Sequence, residues 1–147
     1  MNSTRLAAEL LWRVKIPPAK VSLGFGFYGR SFQLADPTCQ KPGCPFTGGA
    51  KPGPCTATSG ILSYYEIMDI VKGSNPTTSK SRTKRAGVQP VHDVESAVNY
   101  VTYDNDQWVS YDDAVTMKQK VDWANSAGLG GSLIWASDLG TWTLTVV

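Results

Sequence analysis

The chain has 147 residues, and its 41% hydrophobic and 18% charged content is ordinary for one globular domain with a sizeable core. The formal net charge of +2 is too small to indicate a nucleic-acid or membrane-surface partner, and no stretch is long and apolar enough to span a bilayer. The basic run at residues 80–85 lies among Ser, Thr, Asn and Gly, so we interpret it as a solvated loop. No secretory signal is expected at the N-terminus, because an apolar core and a cleavage site are missing there.

The first two predicted elements are a helix and a buried strand. Residues 4–15 follow a helical pattern with Ser3 as the cap, and two prolines end the helix. Its predicted buried stripe is Leu6, Leu10, Leu11 and Val14. Residues 21–27 alternate glycine with large apolar residues, and the large polar side chains of Tyr28 and Arg30 follow the predicted strand. A helix followed by a buried strand is half of a βα repeat, and strand ends are where such folds place binding residues.

A long loop is predicted next. Residues 36–60 contain ten glycines and prolines, a density that excludes regular structure. The loop also holds all three cysteines, Cys39, Cys44 and Cys55, which predicts one local disulfide, one leftover thiol and an oxidising compartment. The sequence does not say which two cysteines pair. A zinc site is the alternative, which we do not favour because His92 is the only histidine and no C-x-x-C occurs.

A helix and a hairpin are predicted after the loop. Ser63 and Glu66 have the spacing of a capping box, and Gly73 ends the helix that they begin. Residues 97–111 alternate apolar and polar side chains around a turn at residues 104–106, which indicates a β-hairpin.

The last predicted elements are again a helix and a strand. Asp112 or Asp113 begins the helix and Gly128 ends it, while residues 130–136 form an apolar strand with Asp138 just past its end. This strand and the one at 21–27 both have the composition of strands buried on both faces. Such strands need neighbours that the rest of the chain does not offer.

Four blocks of the sequence stand in a characteristic order and spacing. They are L-G-F-G-F-Y-G-R-S-F at residues 23–32, G-I-L-S-Y-Y-E-I at 60–67, D-Q-W-V-S-Y-D-D at 106–113 and G-L-G-G-S-L-I-W-A-S-D at 128–138. Together they resemble the C-terminal portion of glycoside hydrolase family 18 chitinases, and are most similar to the fungal secreted type.

The resemblance implies an α/β fold made of a partial TIM (β/α)8 barrel and an α+β chitinase insertion domain. Residues 1–35 would be a barrel segment with helix 6 and strand 7. Residues 36–111 would be the insertion domain with the cysteine loop, and residues 112–147 a barrel segment with helix 7 and strand 8.

The resemblance also implies an extracellular protein that binds chitin or a chito-oligosaccharide. Trp135 would lie beneath the sugar at the cleavage site, because a pyranose presents an apolar C–H face to an aromatic ring. Tyr28 and Arg30 would hydrogen-bond sugar hydroxyls and the acetamido group. Leu133 would line the pocket for the N-acetyl group, and Glu66 would reach the sugar on the non-reducing side.

Structural roles are open for several of these residues. Trp135 could be a core tryptophan, Arg30 an ion-pair partner within the protein, and Glu66 only the partner in the capping box. We expect Trp108 and Asp112 to stabilise the hairpin and the following helix, with no catalytic part.

Catalysis in family 18 is substrate-assisted and retaining, with a glutamate at the end of a D-x-x-D-x-D-x-E motif as the acid. The acidic clusters of this chain, at residues 93–95, 104–106 and 112–113, do not match that motif. No catalytic residue is therefore predicted, and neither a cofactor nor a metal is expected. We expect the chain not to hydrolyse chitin alone, with a chitin-binding, chitinase-like lectin as the alternative function. We also expect the chain to be unstable or prone to aggregation, because its barrel strands expose their edges.

Overall fold

The structure is a computed structural model that describes residues 2–73 and 87–139. In these ranges the strands are β1 (Ser22–Gly26), β2 (Tyr28–Leu34), β3 (Phe46–Gly49), β4 (Ile61–Ser63), β5 (Val91–Asp93), β6 (Val98–Tyr103), β7 (Gln107–Tyr111) and β8 (Gly131–Trp135). The α-helices are α1 (Asn2–Arg13), α2 (Tyr64–Lys72) and α3 (Ala114–Ser126). The basic run at residues 80–85 lies outside the described residues.

A parallel pair, β1 and β8, forms the smaller sheet. One face of β1 packs on α3, where Phe25, Phe27 and Met117 form a buried cluster. Both strands were predicted, and both are confirmed. The expected burial on both faces is wrong for both strands: β8 is exposed along its whole length, and β1 fully buries only Phe25. The reason is that the described residues place no second layer over the face that carries Gly24 and Leu133.

The helix predicted at residues 4–15 is confirmed as α1, with two differences. It begins at Asn2, so Ser3 lies inside the first turn and is not the cap. The predicted stripe is not buried either: Leu6, Leu10 and Val14 are 59–69% exposed, and Ala8 is the buried apolar residue instead. No sheet in the described residues covers that stripe, which agrees with the expected instability of the chain. The instability itself stays a prediction.

The larger sheet has six strands, in the order β3-β2-β7-β6-β5, with β4 also paired to β2. All of these pairings are antiparallel. The expectation that residues 36–60 contain no regular structure is wrong at β3, because the edge of β2 offers this segment a partner strand. The chain crosses from the parallel pair into this sheet between Gly26 and Tyr28, upstream of the domain boundary predicted at residue 35. The polar residues that follow β1 therefore stand on the first strand of the second sheet.

The core of the larger sheet lies under α2. Its buried residues are Leu62, Ile67, Val101, Val109 and Tyr111. The capping box that begins α2 is confirmed, and Gly73 ends the helix in the left-handed conformation with φ of 69°. The local sequence signals and the burial of apolar residues therefore agree at this helix.

The hairpin and the third helix are confirmed as well. Strands β6 and β7 pair around a turn in which Asp104 and Asn105 have positive φ angles of 45° and 72°. Asp113, rather than Asp112, caps α3, because its carboxylate accepts hydrogen bonds from Val115 N and Thr116 N. None of the described helices is long and apolar enough to cross a membrane.

One disulfide links Cys39 to Cys44, and Cys55 is an exposed free thiol. The pairing left open by the sequence is thus between the two cysteines that are nearest in the chain. In residues 2–73 and 87–139, no group of three or more His, Cys, Asp or Glu side chains is placed to hold a metal.

Candidate functional site

The parallel pair presents an open face opposite α3. Side chains alternate along β1, so Gly24 and Gly26 lie on the face away from the phenylalanines that pack on the helix. The register pairs Gly24 with Leu133 and Gly26 with Trp135. A Cβ atom at Gly24 would meet no atom within 4 Å. On this face, the large side chains of Leu133 and Trp135 on β8 are therefore next to glycines of β1, which have no side chain.

Trp135 and Leu133 are the exposed residues of this open face, at 67% and 58% of their surface. The sequence left open whether Trp135 is a core tryptophan, and the described structure does not bury it. An exposed ring bordered by glycines offers its flat surface to a ligand of similar shape. The structure thus brings together two of the five predicted binding residues.

Tyr28 and Arg30 stand at the end of the open face. The ring of Tyr28 lies over Gly26, since a Cβ atom there would be 3.0 Å from Tyr28 Cε1. Arg30 Cζ lies 5.3 Å from the centroid of the same ring, which is a cation–π distance. Arg30 is exposed and forms no ion pair with a carboxylate of residues 2–73 or 87–139. Its guanidinium donors are therefore available to a ligand.

A cleft of about 190 Å³ begins at these residues and continues along the larger sheet. Its lining residues are Gly26, Tyr28, Arg30, Val98, Ser110, Tyr111 and Asp112. Asp112 brings a carboxylate to the cleft, but Lys120 Nζ lies 2.7 Å from its Oδ2 and Thr116 Oγ1 donates to its Oδ1 at 2.9 Å. The charge of Asp112 is thus neutralised within the protein, which agrees with the structural role expected for it.

Glu66 lies elsewhere, beneath the loop that precedes β4. The residue is only 4% exposed, and both carboxylate oxygens accept hydrogen bonds. The donors are Cys55 N at 2.7 Å, Thr56 N at 3.1 Å, Thr56 Oγ1 at 3.1 Å, Ser63 N at 2.8 Å and Ser63 Oγ at 3.0 Å. This geometry favours the capping-box role of Glu66 over the expected contact with a sugar, because no oxygen is left for a ligand.

The electrostatics of Glu66 follow from the same contacts. Burial penalises the charged form and would raise the pKa of Glu66, but hydrogen bonds from Ser63, Cys55 and Thr56 together outweigh burial. The pKa of Glu66 is consequently held below its ordinary value. The packing is also close, since a Cβ atom at Gly53 would overlap the Glu66 carboxylate.

Sequence reasoning missed two features of this region. Ser110 lines the cleft because it pairs with Arg30 across β2 and β7, and the alternation of residues 107–111 is the signal that could have found it. Lys120, on α3, forms an ion pair with Asp112, which lies eight residues earlier and before the helix begins. That contact carries no sequence signal, because it depends on how the helix packs.

The sequence matches the family model described as Glycosyl hydrolases family 18 over residues 1–140. The chain belongs to glycosyl hydrolase family 18. Chitotriosidase-1 from Mus musculus is 38% identical over 134 residues, which are 90% of this chain and 25% of that protein. Chitinase-3-like protein 2 from Homo sapiens is 35% identical over 128 residues, which are 87% of this chain and 29% of that protein. The chain thus spans less than a third of the length of these family 18 relatives.

Solved family 18 structures share the fold. Human YKL-39, described as a pseudo-chitinase with retained chitooligosaccharide binding properties, superimposes with a TM-score of 0.79 at 31% identity. The match covers 95% of this chain and 37% of YKL-39. A family 18 chitinase from Cycas revoluta in complex with allosamidin gives a TM-score of 0.69 at 28% identity, covering 89% of this chain and 32% of that one. The predicted α/β fold, a partial TIM barrel, is confirmed.

Proposed function

We propose that this chain supplies one wall of the chito-oligosaccharide cleft of a chitinase-type glycoside hydrolase. The observation that carries the proposal is the open face on which Trp135 stands 67% exposed beside glycine. A pyranose has a flat, apolar C–H face, and this face can stack on an exposed tryptophan ring. Ligands of several relatives support the choice of sugar, since YKL-39 and the Cycas revoluta enzyme were solved with GlcNAc oligomers.

Each residue of the wall has a proposed part. Trp135 stacks under one sugar ring, and Leu133 on the same face packs against the methyl of an N-acetyl group. Arg30 donates hydrogen bonds to the acetamido carbonyl or to hydroxyls, with its planar group steadied by the ring of Tyr28 at 5.3 Å. Tyr28 adds a phenolic hydroxyl to the same region. A sugar contact by Glu66 would first require its five hydrogen bonds to break.

Hydrolysis of β-1,4 links between N-acetylglucosamine units is the proposed activity of the complete catalytic site. Substrate-assisted retention needs an acid to protonate the leaving oxygen, while the substrate's own acetamido group attacks the anomeric carbon. Residues 1–147 contain no D-x-x-D-x-D-x-E motif to supply that acid. Taken by themselves, these residues are therefore expected to bind chito-oligosaccharide and not to cleave it.

A chitin-binding, chitinase-like lectin is the second candidate. It is favoured by the similarity to YKL-39, whose description names retained binding in a pseudo-chitinase. The two candidates differ in one residue, the glutamate that ends the D-x-x-D-x-D-x-E motif. In any longer form of the protein, glutamate at that position indicates an enzyme and a replacement indicates a lectin.

Origin and location are part of the same proposal. A fungal, secreted protein is supported by the Secreted chitinase LysM12 from Penicillium expansum, which is 31% identical over 144 residues. The disulfide between Cys39 and Cys44 also fits an oxidising compartment. Correspondence to the C-terminal portion of the family barrel is supported by the parallel pair with the larger sheet inserted between its strands.

The test of this function is a titration of residues 1–147 with GlcNAc4, measured by isothermal titration calorimetry. Replacing Trp135 with Ala is expected to weaken binding about 5-fold to 30-fold, because a central aromatic contact contributes roughly 1–2 kcal/mol. Arg30→Ala should weaken binding as well, through loss of its donors. Tyr65→Ala is the matched control, since Tyr65 is 46% exposed on α2, away from the open face.

Equal affinity of the wild type, Trp135→Ala and Arg30→Ala would contradict the proposed wall. Release of shorter sugars from a fluorogenic chito-oligosaccharide by purified residues 1–147 would contradict the absence of a general acid. Near-UV circular dichroism of each variant shows whether the protein is folded as the wild type is.

A further inference from the structure

A second aromatic surface lies on the larger sheet, beyond the cleft. Phe32 has its ring centroid 4.7 Å from that of Phe46 and 6.2 Å from that of Trp108. We name these three residues the Trp108 cluster. They line an open cavity of about 300 Å³ together with the loop of residues 41–44. Phe46, on the edge strand β3, is 59% exposed.

The Trp108 cluster and the cleft lie on the same face of the larger sheet. Along β2, Tyr28, Arg30 and Phe32 alternate with buried Gly29 and Ser31, so they share the face away from α2. Strand β7 continues that face, because Arg30 pairs with Ser110 and Phe32 pairs with Trp108. At about 3.4 Å per residue, Phe32 lies roughly 14 Å from Tyr28 along the strand.

The rings of the cluster are held in place before any ligand arrives. Trp108 Nε1 donates a hydrogen bond to Gln40 O at 3.1 Å, and Tyr100 stacks on Trp108 with centroids 5.6 Å apart. The disulfide between Cys39 and Cys44 closes the loop that forms the other side of the cavity. Preorganised rings lose little conformational entropy when a ligand binds, which favours recognition.

The chemistry of the cavity fits a neutral sugar better than a charged ligand. Its lining is aromatic and aliphatic, with Lys41 as the one charged side chain among the lining residues. Lys41 offers hydrogen-bond donors to hydroxyl and carbonyl oxygens, and no carboxylate lines the cavity. An aromatic platform with a donor at its rim is the same combination that Trp135 and Arg30 present in the cleft.

We infer that the Trp108 cluster is a further subsite for long chito-oligosaccharides, reached by a sugar chain that leaves the cleft along β2. The inference rests on the proposed function, since the same chain must also occupy the Trp135 wall. It predicts that affinity depends on the length of the oligosaccharide. A chain too short to span from the cleft to Phe46 gains nothing from the cluster.

The experiment compares GlcNAc2 with GlcNAc6 on residues 1–147 by isothermal titration. Phe46→Ala is expected to lower the affinity for GlcNAc6 about fivefold to tenfold and to leave that for GlcNAc2 unchanged. Phe46→Tyr keeps the ring and should bind GlcNAc6 as the wild type does. Tyr65→Ala, which removes an aromatic side chain of similar exposure from the opposite side of the sheet, should change neither affinity.

A second measurement needs no substitution. In the wild type, the NMR resonance of the Trp108 indole N–H should shift with GlcNAc6 and stay unchanged with GlcNAc2. This measurement decides the matter if Phe46→Ala proves to be misfolded by near-UV circular dichroism.

The outcomes separate the two proposals. Suppose that Trp135→Ala weakens binding, that Phe46→Ala leaves the affinity for GlcNAc6 unchanged and that the Trp108 resonance does not shift with GlcNAc6. The proposed subsite is then wrong, and the proposed wall is retained. Failure of the wild type to bind either sugar overturns both. If Phe46→Ala alters only the self-association of the chain in sedimentation, the cluster is a contact between copies and the inference is overturned.

Discussion

The larger sheet and the parallel pair differ in how far each buries its own apolar residues. Between the larger sheet and α2, Ile67 of the helix and Val109 of β7 are both fully buried. In the pair, Leu133 and Trp135 are more than half exposed, and the stripe of α1 faces solvent. The larger sheet and α2 together bury a hydrophobic core. The barrel strands expose the surface that a family 18 barrel would enclose, and this surface includes the proposed binding wall.

The difference separates the buried core from the proposed binding surfaces, which lie on open faces of both sheets. Leu133 and Trp135 lie on the parallel pair, and Tyr28 and Arg30 lie on the face of β2 away from α2. The carboxylate of Glu66, by contrast, is buried on α2. Substitutions on these open faces should therefore change affinity, and substitutions in the buried core should change the free energy of unfolding. Three predictions test that separation.

The largest expected effect is that of Ile67→Ala compared with Leu133→Ala. Ile67 is fully buried, so its truncation should lower the free energy of unfolding by about 2–5 kcal/mol through lost contacts and a cavity. Leu133 is 58% exposed, and its truncation should change that free energy by no more than about 0.5 kcal/mol. Urea denaturation followed by circular dichroism measures both. Similar losses for the two variants would show that the parallel pair carries as much of the stability as the larger sheet.

An intermediate effect is expected from Gly53→Ala. The added methyl would overlap the Glu66 carboxylate, which would have to give up hydrogen bonds to the loop or to Ser63. Leaving buried donors unpaired costs about 1–3 kcal/mol, to be measured by the same urea denaturation. Gly48→Ala is the matched control, since a Cβ atom there would meet nothing within 4 Å. Equal stability of the two variants would mean that the Glu66 contacts do not brace the loop.

The smallest expected effect is a change in acid dependence. The pKa of Glu66 is lower in the folded chain than its ordinary value of 4.5, because hydrogen bonds outweigh burial. Its contribution to stability is therefore complete above that ordinary value and is lost as the pH falls through the folded pKa. Glu66→Gln cannot titrate, so its free energy of unfolding should fall less steeply below pH 4.5 than that of the wild type. The measurement is the free energy of unfolding from urea denaturation between pH 3 and 7, roughly the range over which carboxylates titrate. Parallel profiles for the wild type and Glu66→Gln would contradict a stabilising role for the charged Glu66 carboxylate.

Local signals in the sequence were sufficient for most elements. The capping box of Ser63 and Glu66, the glycine that ends α2 and the turn of the hairpin are contacts between near neighbours, so spacing alone predicts them. The four sequence blocks also identified the family, which the match over residues 1–140 shows. Burial was less predictable. The stripe of α1 has the right period and is still exposed, because period indicates a face and does not provide a partner for it.

The sequence by itself determined the helices, the main strands and the family. It also determined the alternation of glycine with large apolar residues that leaves one face of β1 without side chains. Only the tertiary structure decided which cysteines pair, that Glu66 is held by five donors, that Lys120 neutralises Asp112 and that Phe32 packs against Trp108. The physical reason is distance along the chain. Caps, turns and strand periods depend on residues a few positions apart, whereas ion pairs, cross-strand rings and loop contacts form between residues that only folding brings together.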